Sequence, residues 1–300
     1  MRAMAVAAAL SAVATAVPLA RADTPAPRPE WPMVIAHRAG TGDYPENTVL
    51  AITHAIEAGV DGLWLTVQAS SDGVAVLYRP ADLAALTDAA GAVNTKPAAE
   101  LARLNAGWNF AVDGGYPYRA LPTPIPTLEQ ALAVVPPDMP LFLDLKQKPA
   151  APVVDAVAGV LRRTGATGRA TLYSTDVDIT NRALQQRDLQ VAESRDTTRQ
   201  RLLNLALTHR CEPPPSPGTW AGFEMHRDVT VTEQVTLGTA ATEVSAELWD
   251  PESVGCFTSQ PGSRVMGFAV TTADDYRLAA KIGLDAVLVD SPRAARQWRG

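Results

Sequence analysis

Residues 33–78 read MVIAHRAGTGDYPENTVLAITHAIEAGVDGLWLTVQASSDGVAVLY, and the fold is decided in this stretch. Met33–His37 is a short apolar run that ends in polar groups, as a buried parallel strand does. Over 47–58 the apolar residues Leu50, Ile52, Ala55 and Ile56 return at helical spacing, and Gly59 stops the helix. A second strand is predicted over 63–68, and Ser71-Asp72-Gly73 turns the chain into a third over 74–78. Strand, helix and strand in this order are the unit of α/β domains.

The alternation continues outward from there. Helices are predicted over 127–135, capped by Thr127 and stopped by Pro136-Pro137, and over 153–164, 178–187 and 273–282. Further strands are predicted over 141–146, 169–174, 189–193, 222–225, 242–248, 265–270 and 286–289. About 270 residues of such alternation suit one α/β domain of barrel size. The count alone leaves an open doubly wound sheet as an alternative. No G-x-G-x-x-G follows the first strand, which weighs against a dinucleotide fold. In a barrel, the strand ends place His37, Arg38, Arg79, Asp144 to Lys146, Ser174 to Asp176 and Asp290 on one rim.

Composition bounds the rest. With 47% apolar and 19% charged residues the chain has material for a large core. A net charge of −6 gives no sign of a nucleic-acid or anionic-membrane binder. The first 22 residues read as a signal peptide: Arg2, an apolar run over 3–16, and a small-x-small site at Ala20-Arg21-Ala22. Residues 23–31 form a proline-rich leader, and 32–300 the barrel domain. The expected product is exported without a stable membrane anchor, periplasmic in a Gram-negative source and otherwise secreted. In an oxidising compartment Cys211 and Cys256 are a candidate disulfide, with two buried thiols as the alternative.

The ordered motifs resemble the glycerophosphodiester phosphodiesterase family. They are His37-Arg38-Ala39-Gly40, Pro45-Glu46-Asn47-Thr48, Gly59-Val60-Asp61-Gly62, Ser71-Asp72-Gly73-Val74, LPTPIPTLEQAL over 121–132, Leu143-Asp144-Leu145-Lys146, Gly283-Leu284-Asp285-Ala286 and Val289-Asp290-Ser291-Pro292. The resemblance implies a single TIM-type (β/α)8 barrel and a phosphoric diester hydrolase of lipid metabolism. Such an enzyme releases glycerol 3-phosphate and an alcohol with the help of a divalent cation, calcium or magnesium. It makes His37 the acid or base, Arg38 and Lys146 phosphate binders, and Glu46 and Asp144 the carboxylates left to a metal.

Asp144 stands where the family has a metal-binding glutamate and Pro80 where an aspartate is common, and three further positions depart more sharply from that pattern. Where the family carries a Glu-x-Asp metal pair, this chain has Trp64-Leu65-Thr66; where it carries a second histidine, this chain has Arg79. Trp64 offers no ligating atom and is expected to pack where the metal was. Thr66 offers one neutral hydroxyl, and arginine exchanges no proton near neutrality. Two carboxylates are a thin set for a hard cation. What remains is a cationic cluster of His37, Arg38, Arg79 and Lys146 around Asp144, suited to holding a phosphodiester or another small anion. The expectation is weak or lost hydrolysis, a possible pseudoenzyme; the alternative is an active phosphodiesterase with a rebuilt metal site.

Overall fold

The computed structural model describes residues 30–298, so the predicted signal peptide and most of the leader lie outside the described residues. The strands are β1 Met33–His37, β2 Gly62–Ala69, β3 Ala75–Leu77, β4 Leu141–Leu145, β5 Ala170–Tyr173, β6 Gln190–Val191, β7 Trp220–Glu224, β8 Arg227–Val235, β9 Gly238–Ala246, β10 Arg264–Phe268 and β11 Ala286–Val289. The helices are α1 Val49–Glu57, α2 Ala98–Leu101, α3 Leu128–Leu132, α4 Ala150–Thr164, α5 Val177–Leu184, α6 Arg195–Thr208, α7 Pro251–Phe257, α8 Ala273–Ile282 and α9 Pro292–Ala295. None among the described residues is long and apolar enough to cross a membrane.

Eight parallel strands run in the order β6-β5-β4-β2-β1-β11-β10-β7. Just past β6 the Glu193 N–H donates to the Trp220 carbonyl at 2.8 Å, which bridges the gap to β7. The wall is thus a nearly closed barrel with helices between its strands, the (β/α)8 architecture the motifs imply. The open-sheet alternative is excluded. Strand side chains alternate between two cores, as period-two geometry requires. On β2, Leu63, Leu65 and Val67 face the helices, while Trp64 packs inside the barrel with Ile35, Phe142, Tyr173, Met266, Phe268 and Leu288. Burying both faces explains why these strands read as near-continuous apolar runs.

Local chemistry sets the helix starts. The first helix begins at Val49, because Asn47 has a φ of 58° and Thr48 caps the end by accepting from the Ala51 N–H. Thr127 caps α3 in a reciprocal capping box with Gln130. β3 pairs antiparallel with β2, as the Ser71-Asp72-Gly73 turn predicts, and the excursion after it builds a satellite core around Tyr78, Leu83, Leu101 and Ile125.

Three features differ from the sequence reading. The strand predicted over 242–248 is not part of the wall: β9 pairs only with β8, in an exposed hairpin whose tip residue Leu237 is 99% exposed. Helix α6 had no readable apolar stripe, since it buries Leu202 and Leu205 but exposes Leu203 and Leu207. Trp31, assigned to a loose leader, stacks on Tyr276 with centroids 5.4 Å apart. Cys211 and Cys256 form the expected disulfide across a separation of 45 residues.

Candidate anion site at the barrel mouth

Two residues beyond the apolar interior, the inward positions of the wall turn polar. His37 on β1, Thr66 on β2, Asp144 on β4, Tyr173 on β5 and Glu224 on β7 occupy this level, with Asp290 following β11. Register ties Thr66 to Asp144 and Asp144 to Tyr173. Below them Trp64 seals the barrel, its ring 4.9 Å from Tyr173, 5.4 Å from Phe268 and 6.0 Å from Phe142. Phe268 leans over Gly222, where an added Cβ would stand 2.4 Å from the ring. Trp64 is packing, as expected from its chemistry.

The His37 imidazole bonds Asp290 through Nδ1 at 2.6 Å, across 253 residues of sequence. That bond leaves Nε2 as the ring nitrogen open to a ligand. It also holds the Asp290 carboxyl below the usual carboxylate range, against an opposing push from burial. After β1 the backbone is left-handed at Arg38, Ala39 and Gly40, with φ of 50°, 64° and 95°. Such a run persists only when its surroundings hold it. Glu46 does so, accepting from Arg38 Nη1 at 2.7 Å and from Thr41 at 3.0 Å, while the Asn47 N–H donates to the Arg38 carbonyl.

Across β2 lies the second cationic arm. Lys146 Nζ stands 3.2 Å from Asp144 Oδ1 and donates to Thr175 at 2.8 Å. Asp144 is buried, and burial pushes its carboxyl above the ordinary value; Lys146, then His37 and Arg38, pull the other way. The structure therefore brings His37, Arg38, Lys146 and Asp144 into one electrostatic neighbourhood. Arg79 stands exposed just past β3 and joins no ion pair among the described residues. Of the other histidines, His54 bonds Glu57, His209 bonds Glu252, and His226 bonds Asp275 and lies 3.3 Å from Glu247, so each has a carboxylate partner.

Sequence reasoning missed the Arg195–Glu224 pair, which closes the mouth beside Tyr173. Its signal was hidden because α6 itself was unreadable. In the loop after α2 the Arg119 guanidinium packs on two rings, 4.9 Å from the Trp108 centroid and 4.0 Å from that of Tyr116.

The residues present are a thin set for a divalent cation. Glu46 accepts from Arg38 and Thr41 through Oε2 alone and Asp144 faces an ammonium, so the buried oxygens that they and Thr66 leave without a hydrogen bond among the described residues are Glu46 Oε1, Asp144 Oδ1 and the neutral Thr66 hydroxyl. Of the later acids that could rebuild a site, Glu193 binds Arg201, Glu224 binds Arg195 through Oε1, and Glu247 lies beside His226. Among the described residues no three His, Cys, Asp or Glu side chains converge as a metal site.

This is an α/β barrel with a charged mouth at the C-terminal ends of its strands, where barrel enzymes keep their chemistry. The chain belongs to the glycerophosphoryl diester phosphodiesterase family, whose sequence profile matches residues 37–294. It is 66% identical over 289 residues to Rv2277c of Mycobacterium tuberculosis, spanning 96% of this chain and 94% of that protein. The crystal structure of the glycerophosphoryl diester phosphodiesterase domain of Rv2277c superposes with a TM-score of 0.85 at 68% identity, covering 90% of this chain and 99% of that one. A glycerophosphodiester phosphodiesterase of Bacillus altitudinis is 35% identical over 102 residues, 34% of this chain and 39% of the relative. An Oleispira antarctica phosphodiesterase solved with its product sn-glycerol-3-phosphate shares the fold at 21% identity, with a TM-score of 0.64 over 90% of this chain and 97% of that one.

Proposed function

We propose that this chain is an exported member of the family that holds glycerophosphodiesters, or their phosphate esters, in a cationic mouth and hydrolyses them weakly or not at all. The observation that carries the reading is the exchange at one level of the barrel. The metal-pair positions are Trp64 and Thr66, both buried, while His37, Arg38 and Lys146 stay gathered at the rim. Arginine and lysine donors match phosphoryl oxygens without a cation between them. The Cys211–Cys256 bond supports an oxidising destination.

A second reading, active hydrolysis, is favoured by the His37–Asp290 pair. An imidazole oriented by a carboxylate can take a proton from attacking water and return it to the leaving alcohol. Here one histidine would have to do both, since arginine cannot share the task.

Calorimetric titration of the mature protein with calcium and with magnesium, then an assay for glycerol 3-phosphate release from glycerophosphocholine, separates the two. The binder reading expects no stoichiometric metal uptake, little or no release, and a melting temperature raised by phosphate equally with and without chelator. Metal-dependent turnover abolished by His37→Ala would establish the hydrolase instead. Mass spectrometry of the secreted chain should give a mature N-terminus near Asp23; retention of residues 1–22 would count against export.

A further inference from the structure

On the arc of the wall opposite β1, two enclosed polar atoms make no hydrogen bond among the described residues. They are the hydroxyl of Tyr173, a residue 4% exposed, and Oε2 of Glu224, whose nearest cation beyond Arg195 is Arg227 at 3.8 Å. The Arg195 guanidinium belongs to both neighbourhoods. It hydrogen-bonds Glu224 Oε1, lies 4.9 Å over the Phe223 ring, and acts on the Tyr173 phenol. Burial, then Asp144 and Glu224, push Tyr173 well above the ordinary tyrosine value against the pull of Arg195, so the hydroxyl keeps its proton.

An enclosed donor and an enclosed acceptor left without partners are costly. A single group that both accepts and donates satisfies both, and an alcohol hydroxyl is such a group. A trimethylammonium cannot: it accepts nothing from Tyr173 and would meet Arg195 with like charge. A second phosphate cannot either, since it would face the Glu224 carboxylate.

We propose that Tyr173, Glu224 and Arg195 form a subsite for the hydroxyl-bearing arm of a phosphate ester, with the ligand hydroxyl accepting from Tyr173 and donating to Glu224 Oε2. The proposal rests on the phosphoryl group being held by His37, Arg38 and Lys146. The two subsites adjoin, because Asp144, the partner of Lys146, is the register neighbour of Tyr173.

The test titrates the mature protein with inorganic phosphate, glycerol 3-phosphate and phosphocholine. The wild type should hold glycerol 3-phosphate about tenfold more tightly than phosphocholine. Tyr173→Phe, which removes only the hydroxyl, should reduce glycerol 3-phosphate affinity about five- to tenfold and leave inorganic phosphate within about twofold. Glu224→Gln changes charge and so alters all anion binding, but the ratio of glycerol 3-phosphate to phosphate affinity should fall. Phosphate bound with no preference for glycerol 3-phosphate, a preference for phosphocholine, or a ratio unmoved by both variants overturns the subsite alone. Binding of none of the three ligands overturns the subsite together with the phosphoryl site it rests on.

Discussion

Replacing Asp144 with Asn should strengthen anion binding, and the structure sets the size of the effect. Asp144 Oδ1 lies 3.2 Å from Lys146 Nζ. An anion bonded to the far side of that ammonium at about 2.8 Å sits within about 6 Å of the carboxylate. At an effective dielectric of about 20, two like unit charges at that separation repel by about 2.8 kcal/mol. Solvent that reaches the partly exposed Lys146 trims this to about 1–2 kcal/mol, or about a 5- to 30-fold gain in affinity. Sulfate is the best probe, because its charge is constant above about pH 4, so titrating it into wild type and Asp144→Asn at pH 7 isolates the protein's contribution. The wild-type dependence on pH has a fixed sign. Burial raises the Asp144 carboxyl, so acidification neutralises it earlier than an ordinary aspartate and strengthens sulfate binding; the variant should lose that part of the slope. Equal or weaker sulfate binding by a folded Asp144→Asn protein would refute the reasoning, and Asp144 would then be an orienting group for Lys146.

Other perturbations reach the scaffold. Gly222→Ala drives a Cβ into the Phe268 ring and should cost about 1–3 kcal/mol in urea unfolding; an unchanged midpoint would mean that the aromatic seal is loosely packed. The double variant Cys211→Ser, Cys256→Ser should lose about 4 kcal/mol, the loop-closure value for a separation of 45 residues, read as a lower melting temperature that matches the reduced wild type. The depressed Asp290 carboxyl makes the His37 pair stabilising above the unfolded aspartate value, with the gain lost as pH falls through the lower folded value. Asp290→Asn should therefore differ from wild type at pH 7 and converge with it near pH 3; because Asp290 is half exposed, the gap should stay under about 1 kcal/mol.

The wall strands were legible because burial on two faces leaves long apolar runs, and α3 because Thr127 and Gln130 spell its cap. Helix α6 was not, since its leucines fall on both faces and its buried set includes Thr198 and Arg201. The strand read over 242–248 was real, but its partner is a hairpin strand and not the wall, a distinction that depends on exposure and not on β propensity. At the site, His37, Arg38, Glu46, Asp144 and Lys146 stood in recognisable motifs. Their bonding did not: no local pattern shows Glu46 holding Arg38, and the bond from His37 to Asp290 spans nearly the whole domain. Pairings of that range are products of barrel closure and leave no local trace.

The join between β6 and β7 gives the molecule a dependence on when its cysteines oxidise. Among the described residues one backbone hydrogen bond crosses there, from Glu193 to Trp220. The same glutamate binds Arg201, Arg201 donates to the Pro213 carbonyl at 2.8 Å, and its guanidinium lies 5.0 Å over Phe257. Cys211 and Cys256 bracket that linkage covalently. Before oxidation, the chain is a barrel latched by noncovalent contacts at its narrowest strand, with β6 and β7 as the first edges to open and the first to meet another chain. After oxidation the latch is locked, and the oxidised protein is the form that resists unzipping.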